Sequence, residues 1–186
     1  QVAIKKFKID KLNDMKLQSF QRELGILASV SHSTLVKFVG ATINPYCIIT
    51  EWMPNKSLYH DLNQNHKLNE TMRTIAMFDI ARGMKYLHSR RIIHRDLKTL
   101  NVLIDKDLLA KICDFGASRQ AGQGDLLTKN VGTPHWMAPE LLESGQNYTN
   151  KIDVYAYGIL IWEILSGQLP YHGMDPTQII AQVLVQ

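Results

Sequence analysis

The chain has 186 residues and 45% of them are hydrophobic, so it is long enough to bury a core and too apolar to be disordered. Its 21 lysines and arginines against 17 aspartates and glutamates give a net charge of +4. This mild excess suits an anionic ligand, and its alternative explanation, which applies to most such excesses, is a solvated surface. Because the chain includes no dense basic run, nucleic acid is not a predicted partner.

The cysteines and the longest apolar run indicate where the chain resides. Cys47 and Cys113 are far apart and form no CxxC pair, which fits a reducing cytoplasm better than a secreted disulfide scaffold. The opening residues lack the pattern of a signal peptide, so we expect none in this segment. The apolar run Val154 to Leu165 contains Glu163 and is only about 12 residues long, which is short for a membrane span and typical of a buried core helix. We therefore expect a cytoplasmic protein with no membrane insertion by this segment.

The first elements predicted along the chain are strands and one helix. Val2–Lys5 has the pattern of a strand already in progress, so we expect the chain to begin inside a domain. Apolar residues at helical spacing predict a helix from about Met15 to Ser29. Two apolar runs, Leu35–Gly40 and Cys47–Trp52, are separated by the turn signal Asn44-Pro45 and predict an antiparallel strand pair.

The pattern becomes helical after Pro54-Asn55, where we place a lobe boundary. An amphipathic helix is predicted over residues 70–89, and the polar, glycine-rich stretch from Gly116 to Gly132 is predicted to be a mobile loop. The remaining predicted elements are three short strands and two helices: Ile92-Ile93, Val102–Ile104, Ala110–Ile112, Ile152–Leu165 and Thr177–Val185.

Four short motifs occur in a fixed order. They are Val2-Ala3-Ile4-Lys5, His94-Arg95-Asp96-Leu97 followed by Asn101, Asp114-Phe115-Gly116 and Ala138-Pro139-Glu140. Each alone is a weak signal, but together they match the order and spacing of the protein-kinase signature. The chain therefore resembles the eukaryotic protein kinases over essentially its whole length.

The resemblance implies an α+β, bilobed fold. Residues 1–54 would form part of a small, mainly β N-lobe with the hinge, and residues 55–186 part of a larger, mainly α C-lobe. The first strands and the glycine-rich loop that covers the phosphates would precede Val2, and the last helices would follow Gln186. It also implies ATP and Mg²⁺ as cofactors and a protein substrate.

Phosphoryl transfer requires positioning and charge neutralisation more than covalent chemistry. In the family, the lysine at Lys5 binds the α- and β-phosphates and is fixed by an acidic partner on a helix. Glu23 is the candidate partner, and its alternative role is a surface helix residue in a salt bridge. Asn101 and Asp114 would supply the oxygen ligands that Mg²⁺ prefers.

The resemblance assigns the reaction itself to the loop around Asp96, residues 94–101, which we call the catalytic loop on that expectation. That carboxylate would orient the substrate hydroxyl and accept its proton, and Lys98 would neutralise charge on the transferred group. His94 is expected to be structural and to pack beneath Phe115, in a column that Asp153 anchors; the other members of this column would be Leu27 and Phe38.

The adenine side of the site follows from the same resemblance. Thr50 would limit access behind the purine, and the backbone of the following residues would hydrogen-bond it. Cys113 is expected to serve as a small apolar wall of the pocket and only secondarily as a reactive thiol. The expected nucleotide contacts on this side are Ala3, Thr50, Glu51, Met53, Leu103 and Cys113.

Substrate specificity rests on two segments. Lys98 within residues 96–101 resembles the serine/threonine pattern, whereas Thr99 and the stretch 132–137 resemble the tyrosine-kinase-like group, whose members mostly phosphorylate serine and threonine. Trp136-Met137 is shared with tyrosine kinases, so tyrosine or dual specificity stays open.

Two classes of function remain for a chain with these motifs. One is an active kinase, and the other is a kinase-fold binding or scaffold module. The presence of Lys5, Asp96 and Asp114 favours the active kinase. The P-loop pattern of an unrelated nucleotide-binding protein does not occur.

Regulation is predicted from Arg95. In the family, an arginine at this position pairs with a phosphate on the loop between Asp114 and Glu140. Thr128 is the best-placed acceptor, and its alternative role is a solvated loop residue. Thr133 is the rival acceptor, although it is expected instead to shape the pocket beside the substrate hydroxyl.

Overall fold

The structure is a computed structural model that describes residues 1–8, 14–120, 133–143 and 148–185. The strands are β1 (Val2–Lys6), β2 (Phe38–Ile43), β3 (Tyr46–Glu51), β4 (Ile92–Ile93), β5 (Val102–Ile104), β6 (Ala110–Ile112) and β7 (Arg119–Gln120). The α-helices are α1 (Asp14–Ser29), α2 (Leu58–His60), α3 (Glu70–Ser89), α4 (Pro139–Leu142), α5 (Lys151–Ser166) and α6 (Pro176–Val185). Shorter helical turns cover Asp61–Asn65, Thr99–Asn101, Phe115–Ala117 and Pro134–Trp136.

The first half of the chain builds an antiparallel sheet with the order β1-β3-β2, and α1 is its helix. The predicted helix and strand pair are confirmed, but β2 begins at Phe38 rather than Leu35. Leu35 instead forms an isolated bridge with Ile112, and the Val36 amide donates to the Ile112 carbonyl at 2.9 Å. The apolar run therefore divides between a buried connection and a strand.

The second half is built around α3 and α5, and the predicted bounds of α3 are confirmed. Asn69 caps α3, because its side chain accepts a hydrogen bond from the Met72 amide. The prediction that the run from Val154 to Leu165 is a buried helix holds for one face only. Leu160 is fully buried, whereas Val154 and Trp162 are exposed. In the described ranges, no helix combines the length and apolar character needed to cross a membrane.

The connection between α1 and β2 is attached to α3 and β6. The Ser31 amide donates to the Tyr86 hydroxyl at 3.1 Å, and the Ile112 amide donates to the Thr34 carbonyl at 2.9 Å. Gly83 allows this close approach, since a Cβ there would lie 2.8 Å from both Ile112 Cδ1 and Thr34 Oγ1. A larger residue at Gly83 would separate α3 from both segments.

The stretch predicted as a mobile loop from Gly116 begins with regular structure. Arg119 and Gln120 form β7, which pairs with β4 beside the catalytic loop. This part of the loop prediction is wrong, because the pairing orders residues 119 and 120. Residues 121–132, which include Thr128, lie outside the described residues.

Candidate active site

Lys5, Glu23 and Asp114 form one ion-pair network, as the motifs predicted for the first two. Lys5 Nζ lies 2.8 and 3.0 Å from the Glu23 carboxylate oxygens and 2.9 Å from Asp114 Oδ1. Glu23 is 3% exposed because it shares its helix face with the buried Phe20 and Leu27. The alternative of a surface ion pair therefore does not describe this glutamate.

Burial and charge act in opposite directions on these three groups. Burial lowers the pKa of Lys5, but the carboxylates of Glu23 and Asp114 outweigh it and raise the pKa overall. Burial raises the pKa of Asp114, yet the Lys5 ammonium reverses this and holds the pKa below its usual value. Burial raises the pKa of Glu23 and the Lys5 charge opposes that shift. Lys5 therefore stays charged and Asp114 ionised at neutral pH.

The turn after Asp114 fits closely against α1. Asp114 adopts a left-handed backbone conformation with φ of 59°, and Phe115 is fully buried against His94, with ring centroids 5.5 Å apart. A Cβ on Gly116 would lie 3.2 Å from Glu23 Oε2 and 3.3 Å from Asp114 Oδ1. Glycine at this position thus lets both carboxylates approach the turn.

The residues predicted to act on the substrate are joined in a second network. Asn101 Nδ2 donates to both the backbone oxygen and Oδ2 of Asp96, at 2.8 and 2.9 Å. Lys98 Nζ lies 2.9 Å from Asp96 Oδ2 and 2.6 Å from Thr133 Oγ1. Thr133 Oγ1 in turn lies 3.2 Å from Asp96 Oδ1. A carboxylate, an ammonium and a hydroxyl thus meet around one point.

Asp153 on α5 holds the backbone of this loop. Its Oδ2 accepts from the His94 amide at 2.9 Å and lies 2.8 Å from His88 Nε2, while its Oδ1 accepts from the Arg95 amide at 2.9 Å. These bonds fix Arg95 at a φ of 71°, a conformation that costs energy for a non-glycine residue. The predicted anchor role of Asp153 agrees with this geometry.

The magnesium ligands were predicted to be Asn101 and Asp114. Asn101 donates its side-chain amide hydrogens to Asp96, which fixes the orientation of the side chain. Its side-chain oxygen Oδ1 is therefore left as an acceptor for a cation. Asp114 supplies a carboxylate, so this pair fits a hard cation whose other ligands come from phosphates and water. Within the described ranges, no cluster of three or more histidine, cysteine or acidic residues offers a complete metal site.

The residues predicted to contact adenine lie on neighbouring elements. Ala3 on β1 pairs with Thr50 on β3, and Leu103 on β5 pairs with Lys111 on β6. Met53 is buried. The ion pair between Glu51 on β3 and Lys111 on β6 joins the two groups, and their shared role at the purine stays a prediction.

Glu51 has a side-chain role that the sequence did not indicate. Both of its carboxylate oxygens lie 2.9 Å from Lys111 Nζ, and one of them accepts from the Lys37 amide at 2.8 Å. The carboxylate is therefore engaged with β6, and the Glu51 amide donates to the Lys37 carbonyl at 3.0 Å. Only the Glu51 backbone carbonyl remains for the predicted purine contact.

Cys113 should react slowly with alkylating agents. Burial, and then the charge of Asp114, raise the pKa of its thiol to about 12 from 9.0. At pH 8 we expect roughly a thousandfold less thiolate than for an unperturbed cysteine. Peptide-resolved iodoacetamide labelling of the Cys47→Ser variant measures this rate, with the urea-unfolded protein as the fast control. Labelling of the folded protein at the unfolded rate would contradict the inert-wall role.

A group of arginines around Tyr148 was only partly predicted. The Arg95 guanidinium lies over the Tyr148 ring, with Cζ 5.3 Å from its centroid. Burial lowers the pKa of Arg95, and the nearby charge of Arg22 lowers it further. Burial raises the pKa of Tyr148, while Arg95 and Arg119 oppose that shift. Helix α1, the catalytic loop and β7 thus each contribute one arginine to this region.

Comparison with known proteins gives the family. The protein kinase domain model matches residues 1–186. A probable serine/threonine-protein kinase of Dictyostelium discoideum is 44% identical over 186 residues, covering 98% of this chain and 20% of that protein. The serine/threonine-protein kinase STY46 of Arabidopsis thaliana is 42% identical over 184 residues, covering 96% and 31%.

A third relative bears on specificity. The serine/threonine/tyrosine-protein kinase HT1 of Arabidopsis thaliana is 41% identical over 165 residues, covering 87% of this chain and 42% of that protein. The chain thus spans between a fifth and less than half of the length of these three relatives. The predicted resemblance to the tyrosine-kinase-like group is confirmed. With matching motifs, fold and family model, the chain belongs to the protein kinase family.

Proposed function

We propose that the protein transfers the γ-phosphoryl group of ATP to serine and threonine hydroxyls of protein substrates. The observation that carries the proposal is the network in which Lys98 and Thr133 both contact the Asp96 carboxylate. A substrate hydroxyl that approaches Asp96 would meet an acceptor for its proton and an ammonium for the charge of the incoming phosphoryl group.

The proposed step balances as a simple group transfer. The hydroxyl oxygen forms a bond to the γ-phosphorus as the bond from that phosphorus to the β–γ bridging oxygen breaks, and the hydroxyl proton passes to Asp96. Lys5, held by Glu23, orients the α- and β-phosphates. Bound Mg²⁺, with Asn101 and Asp114 as its protein ligands, would neutralise phosphate charge.

The test is phosphate transfer from labelled ATP by the full-length protein to peptides that carry serine, threonine or tyrosine, with identification of the modified amino acid. Phosphoserine and phosphothreonine are expected. Phosphotyrosine alone would contradict the proposed specificity. The tyrosine peptide is included because the relative HT1 is named a serine/threonine/tyrosine-protein kinase. Nucleotide binding without transfer would replace the proposal by a kinase-fold binding module.

The lobes and the compartment are part of the same proposal. Residues 1–54 would move as the small lobe with the hinge, and residues 55–186 as the large lobe. The free thiols Cys47 and Cys113 support a reducing cytoplasm, where protein substrates and ATP are present.

Phosphorylation of Thr128 is proposed to activate the enzyme. Thr128 lies outside the described residues, so the argument rests on the acceptor side. Arg22, Arg95 and Arg119 bring three positive charges to the region of Tyr148. A phosphate would add nearly two negative charges and pair with such a group, which is worth roughly 1.5–3 kcal/mol per charge-assisted bond.

We expect Thr128→Ala to lower kcat about tenfold to a hundredfold, the factor that corresponds to that free energy. The measurement combines a phosphorylation map of active enzyme with kinetics of Thr128→Ala, and Thr74→Ala on the exposed side of α3 is the control. Full activity of Thr128→Ala, with no phosphate between Gly116 and Thr133, would reject the switch.

A further inference from the structure

Glu163 is a buried acid on α5 that the proposed reaction does not use. It is 2% exposed. Its Oε1 accepts a hydrogen bond from Thr99 Oγ1 at 2.7 Å, and its Oε2 accepts from Trp136 Nε1 at 3.2 Å. Burial raises the pKa of the carboxyl to about 7, and the two hydrogen bonds oppose that shift. An acid in such surroundings is costly unless its hydrogen bonds are made.

The two donors belong to segments that also meet in the active site. Thr99 directly follows Lys98 in the catalytic loop, and Trp136 ends the turn that starts after Thr133. On the solvent side, Lys98 and Asp96 both contact Thr133. The same two segments are therefore joined at two places, once at the reacting groups and once at Glu163.

We propose that Glu163 is a positioning residue that sets the spacing between the catalytic loop and the Pro134–Trp136 turn, and so keeps Thr133 in contact with Asp96 and Lys98. This inference rests on the proposed function. The contacts of Thr133 Oγ1 at 2.6 and 3.2 Å leave little slack, so a displacement of the turn by about 1 Å would break them. A misplacement of that size is enough to lower turnover about a hundredfold.

Chemistry suggests a graded set of variants. Glu163→Gln keeps both bonds, because its amide oxygen accepts from Trp136 and its amide nitrogen donates to the Thr99 hydroxyl. Glu163→Met removes both bonds at similar volume. Thr99→Val and Trp136→Phe each remove one donor. Trp162→Phe is the matched control, since Trp162 precedes Glu163 but is 47% exposed.

The kinetic expectation separates positioning from folding. Glu163→Met should lower kcat about tenfold to a hundredfold, and Thr99→Val and Trp136→Phe about fivefold to tenfold each. KM for ATP should stay unchanged, because the Lys5 network is untouched. Glu163→Gln should stay within about threefold of wild type. Glu163→Met leaves the buried Thr99 hydroxyl and Trp136 indole N–H without an acceptor and should therefore lower the melting temperature. Turnover is compared at a temperature at which circular dichroism shows every variant to be folded, and there the loss of kcat should not scale with the loss of melting temperature.

A second readout does not depend on activity. In ¹⁵N-labelled protein, the indole N–H of Trp136 should exchange slowly with solvent in wild type and Glu163→Gln and faster in Glu163→Met, with Trp136→Phe identifying the signal. If wild type shows this protected signal but transfers no phosphate, the proposed function fails and the hydrogen bond stands.

Several results would overturn the positioning role. One is unchanged kcat in Glu163→Met after the indole bond is lost, and another is a Glu163→Gln variant as impaired as Glu163→Met. A third is a loss of kcat that follows the loss of melting temperature across the set. If Glu163→Met does not fold, Thr99→Val and Trp136→Phe decide the question, and wild-type turnover in both rejects it.

Discussion

Replacing Asp96 by asparagine is expected to lower kcat by two to four orders of magnitude, the range that a positioned general base contributes. The amide has the same shape as the carboxylate but accepts no proton from the substrate hydroxyl. It also removes the charge that Lys98 Nζ contacts at 2.9 Å. The loss should fall on turnover, because Lys5, Glu23 and Asp114 form a separate network.

Steady-state kinetics and nucleotide titration together check this result. Nucleotide affinity of Asp96→Asn should stay within about threefold of wild type, the equivalent of about 0.7 kcal/mol. Asp107→Asn is the control, since Asp107 is an exposed aspartate in the turn between β5 and β6. Turnover of Asp96→Asn equal to that of Asp107→Asn would remove Asp96 from the reaction.

Replacing Asp114 by asparagine is expected to abolish measurable transfer at millimolar Mg²⁺ or to shift the metal dependence to much higher concentrations. The change removes the charged one of the two proposed ligands and the carboxylate 2.9 Å from Lys5 Nζ. A neutral oxygen binds a hard divalent cation more weakly than a carboxylate does, so the affinity for Mg²⁺ should fall more than any other property of the site.

The control for the magnesium experiment is the pH dependence of the magnesium requirement in the wild-type protein. Lys5 holds the pKa of Asp114 below its usual value of 3.8. The Lys5–Asp114 ion pair therefore stabilises the fold above pH 3.8, and this stabilisation is lost as the pH falls through the folded-state pKa of Asp114. Between pH 5 and 9 the carboxylate stays ionised. The Mg²⁺ concentration for half-maximal activity should therefore show no Asp114 titration in that window. Normal magnesium dependence in Asp114→Asn would exclude it as a ligand.

The elements that carry an apolar pattern were predictable, including the short strands β4, β5 and β6, whereas β7 was not. The helix over residues 70–89 repeats its apolar residues over five turns, and its bounds agree with α3. β7 has two polar residues and therefore no periodic signal, and only its pairing with β4 reveals it. Leu35 and Val36 were assigned to a strand because burial against Ile112 and burial within a sheet leave the same apolar pattern.

In the site, residues that belong to motifs were predictable, whereas contacts between segments far apart in sequence were not. Lys5 and Glu23 were paired because the family fixes this lysine with an acidic residue on a helix, and their carboxylate–ammonium contact agrees. The grouping of Arg22 with Arg95 was not predicted, because α1 and the catalytic loop are far apart in sequence. Glu163 entered only as an interruption of an apolar run, since nothing local marks Thr99 and Trp136 as its donors.

The attachment of residues 31–36 to α3 and β6 holds the C-terminal end of α1 in place. The helix can then rotate as a rigid rod about that end. Ser29 ends α1 two residues before the first of these bonds, whereas Asp14 begins the helix about 23 Å away. Glu23 lies about 9 Å along the axis from that pivot, so a swing of about 10° displaces it by about 1.6 Å. That arc exceeds what a 2.8 Å contact with Lys5 tolerates. A small angular displacement of one helix therefore suffices to separate Glu23 from Lys5 without unfolding any element.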